Sequence, residues 1–240
     1  MLHGATIAVV VPAHDEARLI ARTLASIPTW IDRVIVVDDA SRDDTAARAE
    51  GFGDPRVSVV RHGVNRGVGA AIVTGYRRAF EDGADVAAVM AGDAQMDPAD
   101  LRAVVEPVAR GEADYVKGNR LSHPEALSAM PLHRLVGNHA LSALTRLVTG
   151  LDVYDSQCGY TAMHRRVADR VQLQRLWPRY GYPNDLLSRL AVARLRVRDV
   201  PVRPVYADEE SGIRTQDLLL SFPLVLGLGL ARRVFVADRR

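Results

Sequence analysis

The sequence predicts an α/β fold on a mostly parallel sheet, and three observations carry that prediction. Short apolar runs rich in β-branched residues recur at Thr6–Val11, Val34–Val37, Val57–Val60 and Val86–Met90. Stretches with helical patterning separate them, and alternation at this spacing builds right-handed βαβ units. Composition permits a packed core: the 240 residues are 48% hydrophobic and 25% charged, which is ordinary globular usage. No repeat, low-complexity tract or linker divides the chain. It reads as one domain over 1–240.

Taken in order, the first run ends at Pro12-Ala-His-Asp-Glu16, and a helical pattern continues through Ile27. The second ends at Asp38-Asp39-Ala-Ser41; Asp43 and Asp44 then open a short helix, where acidic groups meet the positive end of the helix dipole. Gly67–Glu81 reads as a helix after the third run. The fourth ends at Ala91-Gly92-Asp93, followed by a helix over Pro98–Arg110 and a short strand over Asp114–Val116. Beyond residue 120 the rhythm breaks. Leu132–Thr149 reads as a long amphipathic helix, Gly159–Met163 as a strand and Asn184–Arg194 as a helix. Val197–Val205 reads as a strand interrupted by Pro201 and Pro204. The chain divides into halves, 1–120 and 121–215, and an amphipathic C-terminal segment, 216–240.

Several function classes fall away. A net charge of +2 gives no basic field for nucleic acid. The positive charge is almost all arginine, with Lys117 the only lysine. The lone Cys158 excludes a disulfide framework and a cysteine-cluster metal site. His133 and His139 are six apart and no His-Glu-x-x-His occurs, so no zinc motif is present. Nothing reads Gly-x-Ser-x-Gly, which disfavours a serine hydrolase. The loop after the first strand carries neither Gly-x-Gly-x-x-Gly nor Gly-Lys-Ser/Thr. Gly67-Val-Gly69 follows the third strand instead, with Ile72 at the third glycine position. Nicotinamide, flavin and P-loop chemistry are therefore disfavoured.

The start, Met1 to Thr6, runs straight into a strand without a basic and apolar leader, so a cytoplasmic protein is expected. No apolar segment reaches the roughly 18 residues of a membrane span. Leu218–Leu230 comes nearest, but holds Pro223, Gly227 and Gly229 and is followed by Arg232 and Arg233. It reads either as a buried C-terminal helix or as one lying in a membrane interface.

In an open parallel sheet, ligands bind beyond the carboxyl ends of the strands. Polar clusters fall at three such ends: Pro12–Glu16, Asp38–Ser41 and Asp93–Gln95. Taken alone, Asp38 and Asp39 also fit a helix cap. Together, Val9-Val-Val-Pro-Ala-His-Asp-Glu16, Val36-Val-Asp-Asp-Ala-Ser41, Asn65-Arg-Gly-Val-Gly69 and Gly92-Asp-Ala-Gln-Met-Asp-Pro98 resemble family 2 glycosyltransferases of the GT-A fold. Lys117-Gly-Asn-Arg120, Asp155-Ser-Gln-Cys-Gly-Tyr160, Val200-Pro-Val202 and Ser211-Gly-Ile-Arg214 extend the resemblance over nearly the whole chain. The branch it resembles is the polyprenyl- or dolichol-phosphate sugar transferases, mannosyl or glucosyl.

The resemblance implies helices on both faces of the sheet, a nucleotide-sugar half over 1–120 and an acceptor half over 121–215. It implies inverting transfer of a hexose from a GDP-mannose or UDP-glucose type donor to a polyprenyl phosphate. Mg²⁺ or Mn²⁺ would balance the diphosphate, with Asp93 the main metal carboxylate and Gln95 a second oxygen ligand. Pro12, His14, Glu16, Asp38, Asp39, Asn65, Arg66, Gly67 and Asp93 would form the donor site. Arg120, Arg134, Asp155 and Gln157 would meet the acceptor, with guanidinium groups matched to phosphate. Two positions depart from the family pattern. Ala91 replaces the first carboxylate of Asp-x-Asp, and Val68 stands where a lysine is common.

The acceptor decides whether a base is needed. A lipid phosphate is already ionised, whereas a hydroxyl of a polysaccharide or natural product requires a carboxylate in reach. Asp155 and Asp185 are the candidates. By the same resemblance Asp185, in Gly181-Tyr-Pro-Asn-Asp185, stands where related hydroxyl-glycosylating enzymes place their base, and it equally fits the first turn of a helix. Leu132, Leu135, Val136, Leu141, Leu144, Leu147 and Val148 are expected to pack mainly as core, with Arg134 and Arg146 flanking them. On a bilayer-bound helix these arginines would meet lipid phosphates at the inner face of the membrane. A nucleotide-sugar-binding protein of low activity is the reading from another class.

Overall fold

The computed structural model describes residues 1–205 and 221–237. The Ser211–Arg214 motif lies outside the described residues, as do 216–220 and 238–240 of the C-terminal segment.

Seven strands form one sheet: β1 (Ile7–Ala13), β2 (Arg33–Asp38), β3 (Val57–Arg61), β4 (Val86–Val89), β5 (Tyr115–Asn119), β6 (Thr161–His164) and β7 (Val197–Pro201). Their order is β3-β2-β1-β4-β6-β5-β7. β1, β2, β3 and β4 pair in parallel, as do β5 and β7. β6 runs against both of its neighbours. Its reversed direction brings the segment before it, 155–160, to the same edge as the carboxyl ends of β1, β2 and β4. A parallel β6 would have left that segment at the opposite edge.

Side chains alternate across a strand, and the core splits accordingly. Ile7, Val9, Val11 and Ala13 of β1 face one layer, with α1 (Ile20–Ser26), α2 (Thr45–Glu50) and α4 (Leu101–Ala109) packed on it. Ala8 and Val10 face the other, with α3 (Val68–Glu81), α7 (Arg165–Val171) and α8 (Tyr182–Val192). β1 is fully buried, as expected for a strand covered on both faces. The closest approach is α3 on β1, where Gly75 lies so near Val10 that an added Cβ would sit 2.1 Å from Val10 Cγ1.

The expected elements appear with shifted ends. The Pro98–Arg110 segment divides: Asp97 caps a short 3-10 turn over Pro98–Asp100, and α4 begins at Leu101. The Val197–Val205 strand ends at Pro201, because proline offers no N–H to a ladder. The four-residue α5 (Ala126–Ala129) and α7 were not anticipated. They are too short for a helical period to register in the sequence.

The long helix α6 (Leu132–Thr149) has its expected ends, but much of its leucine stripe faces outward. Its buried residues are Leu135, Ser142, Thr145 and Thr149. Leu132, Val136, Leu144 and Leu147 are exposed, between 50% and 76%. Core packing is therefore overturned for these four, while Leu135 is buried and Leu141 and Val148 are half-buried. The inward face is instead a seam of hydroxyls: Ser142 Oγ bonds Ser156 Oγ, and Thr145 Oγ1 accepts from Asn184 Nδ2 at 3.0 Å. The C-terminal helix α9 (Phe222–Ala237) packs against α6 and α8 through Phe222, Val225 and Gly229, and leaves Leu224, Leu228, Leu230, Val234 and Phe235 exposed.

Gly75→Ala is expected to cost about 2 kcal/mol, the usual penalty of overpacking a filled core. In the Val10→Ala background the added methyl has room, so the same substitution should cost less than half as much in urea unfolding.

Candidate active site

The carboxyl edge is built from loops whose backbones are held in an uncommon conformation. Asp15, Ala40 and Ala94 each have positive φ, at 57°, 59° and 56°, one after each of β1, β2 and β4. For a residue with a Cβ this region costs about 1–2 kcal/mol, and the loops hold one another there. Asp15 N donates to Ser41 Oγ at 3.0 Å, and Arg42 N donates to Asp15 Oδ1 at 2.7 Å. Glu16 N donates to Thr45 Oγ1 at 2.8 Å, and Ala17 N to Asp43 Oδ2 at 3.0 Å. His14 remains largely exposed, 3.6 Å from the Asp15 carboxylate.

Asp38 and Asp39 are both buried, and Asp39 organises the donor-side loop. It accepts from Arg66 N at 2.9 Å, Gly67 N at 2.7 Å and His62 Nδ1 at 2.6 Å. His62 is fixed on its other side by Thr74 at 2.9 Å. Burial alone would raise the Asp39 pKa, but these hydrogen bonds outweigh it and hold the carboxyl below its ordinary value. Asp38 accepts from Ser41 N at 3.3 Å. Asn65 accepts from Arg179 Nη1 at 3.4 Å. Gly67 has φ 94°, and a Cβ there would meet the Pro178 carbonyl at 2.6 Å. A Cβ at Gly69 would meet the Trp177 carbonyl at 2.4 Å. The glycine pair thus lets the start of α3 dock on segment 177–182, a packing role rather than a dinucleotide motif.

Between these loops and the C-terminal half lies a cavity of about 230 Å³. Pro12, Asp93, Gln95, Arg120, Gln157 and Tyr182 all line it. Asp93 Oδ1 accepts from Gln95 N at 3.0 Å, which fixes the turn that carries both side chains. Among the described residues no group of three or more His, Cys, Asp or Glu could hold a metal ion. One carboxylate and one amide oxygen fit a divalent cation that takes its remaining ligands from phosphate and water.

Opposite stands Arg120, gripped from behind by Asp155. Arg120 Nε donates to Asp155 Oδ2 at 2.8 Å and Nη2 to Oδ1 at 3.0 Å, a two-pronged pair. Arg120 N, Gln157 N and Cys158 N donate to the same carboxylate. Asp155 is 0% exposed. Burial raises its pKa, and the Arg120 charge, hydrogen bonds and Lys117 charge overcome this and lower it. Asp155 therefore reaches a ligand only through Arg120. Gln157 Nε2 donates to Asn184 Oδ1 and Ser156 Oγ, both at 2.8 Å, linking the cavity wall to the hydroxyl seam of α6.

Of the sequence candidates, Pro12, Asp93, Gln95, Arg120 and Gln157 line the cavity, whereas His14, Glu16, Asp38, Asp39, Asn65, Arg66 and Gly67 of the strand-end loops and Asp155 behind Arg120 are outside its lining. Arg134 is on α6, outside the cavity lining. Asp185 is also outside it, 3% exposed and engaged on both oxygens. Oδ2 accepts from Trp177 N at 2.9 Å and Arg189 Nε at 3.1 Å, and Oδ1 accepts from Arg232 of α9. Asp185 thus fastens α9 to α8. Sequence reasoning passed over His62, Tyr182 and Arg203, which also lines the cavity. His62 directly follows β3, so the strand-end rule that selected the other loops could have found it. Arg203 sits between two prolines and carries no such signal.

Comparison with known proteins fits this geometry. Residues 8–172 match the family model of glycosyl transferase family 2. UDP-N-acetylglucosamine–dolichyl-phosphate N-acetylglucosaminyltransferase of Methanococcus voltae is 29% identical, over 95% of this chain and 97% of that one. Undecaprenyl-phosphate mannosyltransferase of Micrococcus luteus is 29% identical, over 85% and 84%. Glucosyl-3-phosphoglycerate synthase of Mycobacterium tuberculosis, solved with Mn²⁺, UDP and glucosyl-3-phosphoglycerate, superposes with a TM-score of 0.67 at 25% identity, over 95% of this chain and 80% of that one. With its strand-end loops, mixed sheet and matched N-terminal two thirds, the chain belongs to glycosyl transferase family 2 and has the GT-A fold.

Proposed function

We propose that the chain transfers a hexose-type sugar from a nucleotide-diphosphate donor to a polyprenyl phosphate, with inversion, at the cytoplasmic face of a membrane. One observation carries the reading: Asp93 and Arg120 line one cavity, while Asp155 and Asp185 are buried against arginines and stand away from it as bases. A hydroxyl acceptor would need a base in reach, whereas an ionised lipid phosphate attacks the anomeric carbon directly. The relatives named for dolichyl and undecaprenyl phosphate support the same acceptor class. They name different sugars, N-acetylglucosamine and mannose.

In this reading Asp93 and Gln95 hold the divalent ion with the donor diphosphate. When bound, that ion supplies positive charge to the departing nucleoside diphosphate. Pro12 walls the nucleotide pocket, and the loop fixed by Asp39 borders it. Arg120, its plane set by Asp155, orients the acceptor phosphate for in-line approach. Ala91 leaves Asp93 as the lone carboxylate of this turn, so metal binding depends on the donor being present.

The membrane enters through α6 and α9. Exposed apolar side chains on both helices make a surface suited to the headgroup boundary. Arg146, stacked over the Tyr154 ring at 4.6 Å, and Arg233 flank it as partners for anionic lipid. Among the described residues no helix is long and apolar enough to cross a membrane.

Incubation with Mn²⁺ or Mg²⁺, a panel of labelled UDP- and GDP-sugars and a short polyprenyl phosphate should move label into the organic phase. Asp93→Ala should reduce that transfer by at least about a hundredfold. Release of free sugar without lipid labelling would sink the lipid-phosphate reading. Asp185→Asn should lower stability by about 3 kcal/mol, as expected when a buried ion pair loses one partner. Transfer per folded molecule should nevertheless survive, and its loss in a folded variant would reinstate Asp185 as a base. In flotation with anionic liposomes, Leu144→Glu combined with Leu147→Glu should weaken binding at least about tenfold without altering the melting curve.

A further inference from the structure

Behind Arg120 the sheet buries a second group of charges. Lys117 is the chain's single lysine and is fully buried on β5. Its ammonium donates to the carbonyl oxygen of Cys158, in the turn that carries Asp155 and Gln157. The β5–β7 register places Lys117 beside Asp199. Asp199 Oδ2 accepts from Asn119 Nδ2 at 3.0 Å and from Tyr154 N at 2.7 Å. Asp199 Oδ1 is buried and has no hydrogen-bond partner among the described residues. The other ionisable neighbours are the Cys158 thiol and the phenols of Tyr76, Tyr115 and Tyr182. Burial pushes all four upward and keeps them neutral.

Among the described residues four formal charges therefore share this part of the interior: Asp155 and Asp199 against Arg120 and Lys117. With all four ionised they cancel. Arg120 is paired with Asp155, so the charge that this buried cluster adds behind the cavity wall depends on Lys117 and Asp199. Water does not screen these charges fully, and the field of one of them is felt by a ligand several ångströms away. Without Lys117 the cluster would be net negative beside a site that must accept phosphate.

We propose that Lys117 is a positioning residue for phosphate capture: it balances Asp199 and anchors the 155–158 turn, which keeps Arg120 both aligned and attractive to an anion. The proposal rests on the reading that Arg120 meets a phosphate. Titration follows the same logic. Burial lowers the Lys117 pKa to about 8 against the pull of Asp155 and Asp199, and burial raises Asp199 to about 6. Below the lower value the cluster is net positive, between the two it is neutral, and above the higher it is net negative. Anion affinity should fall at the alkaline step.

The test is the Kd of the full chain for farnesyl phosphate, measured by titration calorimetry on variants whose melting curves show them folded. The wild type should bind about tenfold more weakly once the pH passes the Lys117 pKa. Lys117→Met should show that weaker Kd already at neutral pH, and no alkaline step. Lys117→Met with Asp199→Asn restores the charge balance and should return the Kd to within about threefold of wild type. A purely structural lysine would not be rescued by a neutral Asn on the next strand. If Lys117→Met does not fold, Asp199→Asn alone should bind more tightly than wild type at neutral pH. Wild-type affinity in Lys117→Met, no rescue in the double variant, or unchanged affinity in Asp199→Asn would each overturn the proposal. Unchanged affinity in Arg120→Gln would instead overturn the phosphate reading on which it stands.

Discussion

A carboxylate removed from water must be given hydrogen bonds or a cation, and the working edge of this sheet is arranged around that requirement. Asp39 meets it with two backbone N–H groups and His62, and thereby shapes the loop at 65–67. Asp155 meets it with Arg120 and the backbone of its own turn. Asp185 meets it with Arg189, Arg232 and the Trp177 amide. Each buried acid converts a flexible feature into a fixed one: a loop, a cavity-lining guanidinium, a terminal helix. Asp93 differs because it stands at the cavity and faces whatever enters.

The N-terminal architecture was legible because several signals agree there. Runs such as Val34–Val37 are apolar throughout, as strands covered on both faces must be, and acidic turns punctuate them. The strand-end rule then located the edge at which ligands bind in such sheets. The direction of β6 was not legible. Residues 161–164 read Thr-Ala-Met-His whichever way the strand runs, yet only the antiparallel course carries Gln157 to the cavity and Asp155 to the back of Arg120. Asp185 exposes another limit. A carboxylate at a family-like position looks the same in sequence whether it faces a ligand or two arginines, one of them 47 residues further along.

Helix α6 shows why amphipathicity alone does not tell inside from outside. Its leucine stripe and its Ser142, Thr145 and Thr149 stripe are both regular, and a soluble protein ordinarily buries the former. Here the interior side faces Ser156 and Asn184, which hydroxyls can satisfy and leucine cannot. The polar neighbours come from distant segments, so the facing was set by tertiary contacts rather than by the helix itself.

The placement of Lys117 has a practical consequence. The chain has one side-chain amine, and it lies on β5, one strand in from the edge of the sheet, with no solvent exposure. An acylating reagent or a lysine-specific protease meets that target only when β5 and its surroundings open, so modification becomes a clock for opening. Nucleotide or lipid ligands that lengthen the clock would reveal themselves without any assay of turnover. The usual difficulty of assigning a label among many lysines does not arise in this protein.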